Sequence, residues 1–393
     1  MAELALIWLV SYNTRMITRA IQTQIETEIR QGNKVILLFG ARQVGKTTLV
    51  QQVLAQLPYR VLRVNADEQR YINVLSSRDL RQLRELVGGY ELLFVDEAQR
   101  IPEIGINLKL MADELPELRI IATGSSSLHL ASTTREPLTG RAWNHTLYPI
   151  AFCELAHQYN QFELIDMLPE RMIYGSYPEL FSLEGSVIKR DYLRNLVTSY
   201  LYKDILEIGN IRYSSKLSDL LKLLAFQIGQ EVSYNELGTQ LGISKDTVIS
   251  YIDLLEQSFV LFRLKGFSRN LRKEVTKQDK IYFWDAGVRN MVIENLRPLA
   301  DRNDVGQLWE NLMIAEHRKW LIYQGALSSV YFWRTYTGAE VDLVEENEGR
   351  LMGFEYKWGQ RRVRPPQSFL DAYPQATFSV ITLENFLPHV GIN

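Results

Sequence analysis

Directly after the apolar run Val35–Phe39 the chain reads Gly40-Ala41-Arg42-Gln43-Val44-Gly45-Lys46-Thr47-Thr48. Two glycines five residues apart, followed by lysine and threonine, form the Gly-x4-Gly-Lys-Thr loop that cradles a nucleoside triphosphate. The glycines let backbone N–H groups turn inward toward phosphate oxygens, and the N-terminus of the following helix adds the positive end of its dipole. Lys46 has the reach for the β- and γ-phosphates, and the Thr47 hydroxyl is placed to ligate Mg²⁺. ATP and Mg²⁺ are therefore the expected cofactors, held along Gly40–Thr48.

A second cluster ends the run Leu92-Leu93-Phe94-Val95-Asp96-Glu97. Four apolar residues and then two acids describe a buried strand delivering carboxylates to a metal–nucleotide site. Asp96 is expected to hold the metal and Glu97 to orient and deprotonate the attacking water. Ala122-Thr123-Gly124-Ser125-Ser126 follows at the end of another apolar run, where the Thr123 hydroxyl is a candidate contact for the γ-phosphate or its water. Arg135 and Arg141 come next. Arg141 is the favoured source of a guanidinium that stabilises transition-state charge, in cis or from a neighbouring subunit of a homo-oligomer.

A third set lies near the C-terminus: Asp342, then Glu355-Tyr356-Lys357, with Glu310 and Glu340 as further acids. Strand alternation puts Glu355 and Lys357 on one face. Asp342, Glu355 and Glu310 are candidate ligands for Mg²⁺ ions, and Lys357 would steady the charge developing on a phosphodiester. A structural alternative stands beside this reading, an ion-paired cluster that stabilises the sheet.

The elements that must position these groups alternate. A helix is expected over 18–30, a strand over 35–39, a helix over 46–56, and strands over 59–64, 91–97 and 119–123. Such alternation argues an α/β domain with a parallel sheet between helices, binding its ligand beyond the carboxyl ends of the strands. Residues 1–15 read as an N-terminal extension, 16–150 as the nucleotide domain and 151–212 as a helical lid or linker. Within 213–300, Leu217, Leu220, Leu221, Leu224 and Ile228 make one helical stripe. Ser233 and Ser244 are placed to cap two further helices around a turn at Gly242. This resembles a winged helix-turn-helix. The run 261–280 carries seven basic residues (Arg263, Lys265, Arg269, Arg272, Lys273, Lys277 and Lys280) against Glu274 and Asp279, a local charge of +5 that offers phosphate contacts to DNA or RNA. Residues 301–393 give the order helix, three strands, helix, strand. With Asp342, Glu355 and Lys357 at their places in it, the order resembles the PD-(D/E)xK nuclease core, a restriction-endonuclease-like fold. Val341 stands where the leading proline of that motif would be.

The bulk composition is that of a soluble globular protein: 393 residues, 46% apolar, 23% charged and a formal net charge of −2. A near-neutral chain binds polyanions only through local patches. One cysteine, Cys153, excludes an internal disulfide and fits a reducing, cytoplasmic setting, and five scattered histidines show no metal-ligand spacing. No stretch approaches the ~20 apolar residues of a membrane span. The first ten residues lack the basic leader of a signal peptide, and Met16 reads as the more natural start.

Taken together, GARQVGKTTL, LLFVDEAQRIP, ATGSSS, LTGRAWNHTLYPI, YGSYPEL, YLYKDI, RTYTGAEVDLVE and GFEYKW resemble a bacterial and archaeal family of AAA+-type P-loop ATPases. Its members carry a C-terminal domain of unknown function. The resemblance covers nearly the whole chain from about Met16 and implies Mg²⁺-dependent ATP binding and hydrolysis, with no settled cellular role. Two outputs fit. One is an ATPase coupled to nucleic-acid-binding and nuclease-like C-terminal domains. The other is an ATP-dependent molecular switch whose C-terminal domains only recognise partners. A ring motor is disfavoured, because no pore-loop signature and no second motor domain are found.

Overall fold

The computed structural model describes residues 16–32, 34–125, 138–201, 214–269, 278–359 and 364–392. The N-terminal extension, Ser126, Arg135 and the basic residues Arg272, Lys273 and Lys277 lie outside them.

The first sheet is built from β1 (Val35–Phe39), β2 (Val61–Asn65), β3 (Leu92–Asp96), β4 (Arg119–Gly124) and β5 (Ala142–Thr146), all parallel, in the order β2-β3-β4-β1-β5. β1 and the apolar part of β3 are buried on both faces, as continuous apolar runs in a helix-covered parallel sheet must be. β5 was not legible in the sequence, since Ala142-Trp143-Asn144-His145-Thr146 shows neither an apolar run nor clean alternation. It forms because β1 offers it an edge and because the His145 ring, buried, meets the Glu28 carboxylate at 2.6 Å. The first helix runs Gln22–Gln31 instead of starting near residue 18. The Arg19 side chain and the Ala20 N–H are drawn to Glu154 and leave the helical path.

Helices Phe152–Leu155, Gln161–Tyr174 and Ser186–Asn195 follow, and the last runs into a π-helical turn at Leu196–Leu201. The YGSYPEL segment ends the second of these, where Gly175 takes φ +81°. Asp285 accepts bonds from the Ser176 and Val288 amides (2.7 and 2.9 Å), and a Cβ at Gly287 would stand 1.9 Å from the Tyr174 carbonyl oxygen. The segment thus fastens the helical region to the helix Ala286–Val292.

The remainder begins with helix Ser214–Phe226, the short β6 (Glu231–Val232), and helices Tyr234–Leu241 and Lys245–Gln257. Ser233 and Ser244 cap the latter two by accepting from the amides of Glu236 and Thr247, and Gly242 ends the first at φ +68°. A hairpin of β7 (Leu261–Gly266) and β8 (Asp279–Phe283) leads to the 19-residue helix Val305–Tyr323. β9 (Ser328–Arg334), β10 (Glu340–Asn347), β11 (Arg350–Tyr356), helix Gln367–Ala372 and β12 (Thr377–Ile381) complete the order. These strands form one seven-stranded sheet, β12-β11-β10-β9-β7-β8-β6. β7 pairs in parallel with β9 through Lys265↔Tyr331 and Gly266↔Phe332, so a ladder crosses the expected boundary at residue 300.

The two sheets meet over an aromatic seam. Tyr148, two residues past β5, packs on Trp284 (centroids 4.1 Å apart) and on Phe259, while Trp284 packs on Phe262 at 4.4 Å. The Arg318 guanidinium covers Phe262 and Trp284 at 4.3 and 5.1 Å. Trp284→Ala removes the centre of this seam and should lower the free energy of unfolding by about 3–5 kcal/mol, measured by chemical denaturation. A change under 1 kcal/mol would mean that the seam does not join the two parts.

Candidate functional site

The phosphate loop leaves β1 at Gly40. A Cβ there would stand 2.2 Å from the Leu147 carbonyl oxygen, so only glycine fits beneath the returning β5 segment. Gln43 and Gly45 take positive φ (62° and 94°), which curls the loop around the N-terminus of helix Lys46–Ala55. The buried Lys46 ammonium lies inside the curl and donates to the carbonyls of Gly40 and Ala41 at 2.9 Å each. The Thr47 hydroxyl donates to Asp96, 3.0 and 3.1 Å from its two carboxylate oxygens. A hydroxyl and a carboxylate side by side are the hard oxygen donors Mg²⁺ takes when it is shared with phosphates. The glycine cradle and this donor pair fit a magnesium–triphosphate, with Gly40–Thr48 holding the phosphates and Thr47 and Asp96 the ion.

Glu97 follows Asp96 with a left-handed backbone, φ +53°. A non-glycine residue held there signals a local constraint, and such constraints cluster at functional sites. The Gln99 amide donates to the Glu97 carboxylate and to Ser125 Oγ (3.0 Å), so Gln99 spans the ends of β3 and β4. Sequence reasoning missed Gln99. Its place two residues after the acids was the available signal. Thr123 is fully buried; its hydroxyl donates to Asp96 and accepts from the Glu97 amide at 3.2 Å. It therefore positions both acids.

Arg141 lies at the other end of the sheet. It precedes β5, its carbonyl accepts from Val35 N at the start of β1, and its guanidinium pairs with Asp113 at 2.5 Å. In a parallel sheet that is the amino end, opposite the phosphate loop, so Arg141 does not serve this chain's own nucleotide.

The arginine that does reach the loop is Arg19, which carried no motif. It is buried, donates to the Val44 and Tyr148 carbonyls at 2.7 Å each, and forms a two-armed pair with the fully buried Glu154 at 2.9 and 3.2 Å. Beside it a cavity of about 200 Å³ is lined by Ile17, Thr48, Tyr159, Pro178 and Phe181. Its lining mixes polar and apolar groups, and it opens next to Gly45. Pro178 gives the YGSYPEL segment a place at this wall.

The C-terminal acids also gather. Asp342 sits where the β9–β10 ladder shifts register, and its carboxylate accepts from the Tyr356 amide of β11 at 2.9 Å, just past the β10–β11 pair Leu343↔Phe354. Glu310, on the long helix, accepts from Tyr282 Oη at 2.6 Å. Lys280, almost fully buried on β8, bridges Glu340 and Glu310, and Lys357 pairs with Glu355 at 2.6 Å. Burial, and then the charges of Glu310 and Glu355, push the Asp342 carboxyl well above the usual aspartate range; burial raises Glu310 too. For Lys357, burial pulls downward but Glu355, Asp342 and Glu310 override it, and its pKa rises. A cleft of about 400 Å³ opens on Glu310, Tyr356 and Lys357. Among the described residues no three His, Cys, Asp or Glu side chains converge as a metal cage. Lysines, not open coordination positions, face Glu310, Glu340 and Glu355.

Three residues of the basic run are spent on neighbours. Arg263 pairs with Asp253 and Glu256 of helix Lys245–Gln257, Arg269 with Glu346 at 2.7 Å, and Lys280 as above. No helix among the described residues is long and apolar enough to cross a membrane.

Residues 32–156 match a family model described as an AAA domain. Residues 165–298 and 305–385 match two domains of unknown function, DUF8612 and DUF4143. An uncharacterized protein of Mycobacterium tuberculosis is 28% identical over 326 residues, spanning 82% of this chain and 70% of its own. One from Methanocaldococcus jannaschii is 28% identical over 321 residues, spanning 71% and 67%. Among solved structures, a Walker-type ATPase of Pyrococcus abyssi is similar at 17% identity and a TM-score of 0.47, covering 72% of this chain and 97% of that one. AMPPCP-bound DnaA from Aquifex aeolicus is similar at 16% and 0.29, covering 60% and 86%. The AAA-domain match takes in Gly40–Thr48, Asp96, Glu97 and Thr123, and it supports an AAA-type ATPase fold for that part of the chain.

Arg19→Met leaves Glu154 buried without its counter-charge. It should cost about 3–5 kcal/mol of stability and weaken ATP binding at least tenfold by calorimetry. Lowered stability with undiminished affinity would make Arg19 structural only.

Proposed function

We propose that the protein is a Mg²⁺-dependent ATPase working as a switch, its nucleotide state passed to a firmly docked C-terminal module that recognises a partner. The observation that carries this is the meeting of Lys46, Thr47, Asp96 and Glu97 at the carboxyl ends of β1 and β3. Lys46 turns its ammonium from the loop carbonyls to the β- and γ-phosphate oxygens and offsets charge there. Thr47 and Asp96 hold Mg²⁺, which supplies further neutralisation of the phosphates when bound. Glu97 aligns a water and takes its proton. Gln99 and Thr123 keep Glu97 in register, and the cavity beside Thr48 and Tyr159 takes the nucleoside. A single half-buried thiol, with its pKa pushed up to about 12 mainly by desolvation, suits a reducing cytoplasmic setting.

For the C-terminal part, the bridging lysines favour recognition over cutting. On this reading the helix-turn-helix and hairpin are a winged helix, 301–393 is a nuclease-like fold without chemistry, and Asp342, Glu310 and Glu355 stabilise the sheet. A second reading, a metal-dependent nuclease acting on DNA or RNA, draws support from the mutual electrostatic influence of Glu310, Asp342, Glu355 and Lys357, of which Glu310 and Lys357 line an open cleft.

Lys46→Ala should abolish ATP turnover. Glu97→Gln should retain binding and lose about 10²–10⁴-fold in kcat. Wild-type turnover in either variant, in a phosphate-release assay, would overturn the assignment.

Asp342→Asn separates the C-terminal readings. The folded state holds the Asp342 proton more tightly than the unfolded chain. Its contribution to stability is therefore present at low pH and lost as pH climbs from the ordinary aspartate value through the raised one. Asparagine keeps an oxygen for the Tyr356 amide and does not titrate. The variant's melting temperature should fall less than wild type's between pH 5 and pH 8. Cleavage of DNA or RNA by wild type with Mg²⁺ or Mn²⁺, lost in this variant, would instead establish the nuclease.

A further inference from the structure

Two of the cations that the sequence offered for phosphate contact on the hairpin are neutralised by their own fold. Arg263 is held by two acids of the helix that would lead into a groove, and Lys280 is buried. Cations not spent in this way collect elsewhere. A cleft of about 610 Å³ lies between helix Ser186–Asn195, helix Ser214–Phe226 and helix Ala286–Val292 with the turn that follows it. Arg190, Arg194, Lys222 and Arg297 line it and are exposed. Lys222 has no carboxylate partner among the described residues. Arg297 bonds only to the neighbouring Asn295 side chain, at 3.0 Å. Arg190 and Arg194 share a single acid, Asp191, at 3.5 and 3.3 Å, and Glu294 is the one acid in the lining. The floor is apolar, with Val197, Met291 and Val292 buried beneath the charged rim.

We infer that this cleft binds phosphate groups, and that its ligand is the phosphodiester backbone of a nucleic-acid strand. Three of the four cations are arginines, whose planar forks match phosphate oxygens in pairs. Arg190 and Arg194 stand one helical turn apart on the same face, so they present guanidiniums in series. A chain of phosphates uses such a series, whereas a single phosphate uses one member of it. The exposed Val187 and the half-buried Leu296 in the lining offer unpaired bases an apolar surface. Among the described residues the four cations exceed the two acids, which gives the groove a positive excess within a chain of net charge −2. The inference does not rest on the nucleotide site, because none of these residues lies near the phosphate loop.

The test is fluorescence anisotropy of a labelled 20-nucleotide single strand with the full chain, over a series of salt concentrations. Four neutralised phosphates give a slope of log affinity against log salt of about −3 for a single strand. The double variant Lys222→Glu/Arg297→Glu should bind at least tenfold more weakly, with the slope roughly halved, while its ATP turnover and melting temperature match wild type. Lys46→Ala should bind the strand normally. Binding unchanged in the double variant, or no binding at low salt, would overturn the inference. Competition by millimolar inorganic phosphate as effective as competition by unlabelled strand would overturn the strand and leave a free-phosphate site. Tighter binding of polyglutamate than of the strand would overturn phosphate chemistry altogether.

Discussion

One buried ion pair organises everything around the phosphate loop. Arg19 and Glu154 come from opposite ends of the first domain, and both are buried. Each satisfies its remaining capacity on backbone: Arg19 on the carbonyls of Val44 and Tyr148, Glu154 on the amides of Ala20 and Ala151. A charge buried this deeply is tolerable only when fully paired and hydrogen-bonded. The pair therefore sets the position of four segments at once: the entry to the first helix, the crest of the phosphate loop, the exit from β5 and the start of helix Phe152–Leu155. The loop's curvature, the lining of the nearby cavity and the path of the chain toward the second sheet all depend on it.

The same neighbourhood is where the C-terminal part docks. The Tyr148 amide donates to the Tyr323 hydroxyl at 3.1 Å, and the Phe152 amide to Glu316 at 2.7 Å, with Lys319 closing on Glu316. Glu316, Lys319 and Tyr323 all belong to the long helix Val305–Tyr323, which also carries Glu310 into the C-terminal acid cluster. A single rigid helix thus touches the support of the phosphate loop near one end and the acid cluster toward the other. Because β7 and β9 share a ladder, a shift of that helix is felt across the whole seven-stranded sheet. The fold offers a short mechanical route between the two sites, through packed and hydrogen-bonded groups only.

The C-terminal cluster illustrates how a motif and its surroundings divide responsibility. Glu355 and Lys357 share a face, as strand alternation requires, and pair with each other. What alternation could not reveal is Lys280. It arrives on β8, far away in the sequence, and takes up the charge of Glu340 and Glu310. In the sequence Lys280 read as one more member of a basic surface run. Its burial depends on which strand lies beside β9, and strand order is not written in local pattern. Arg263 was misread for the same reason, its acid partners being on the helix packed beside it.

Local pattern determined a great deal by itself. The loop Gly40–Thr48, the strands that carry it and the acids Asp96 and Glu97, and the caps at Ser233 and Ser244 follow from steric and hydrogen-bonding rules acting over a few residues. For that reason the chain could be read for them without a structure. Three things were settled only by tertiary folding: that Arg19 and not Arg141 meets the loop, that Thr123 spends its hydroxyl on holding the acids, and that two apparently separate C-terminal units share one sheet. Each depends on which distant segments come together, and the free energy that selects those meetings, burial of apolar surface and the pairing of buried charge, is a property of the whole chain.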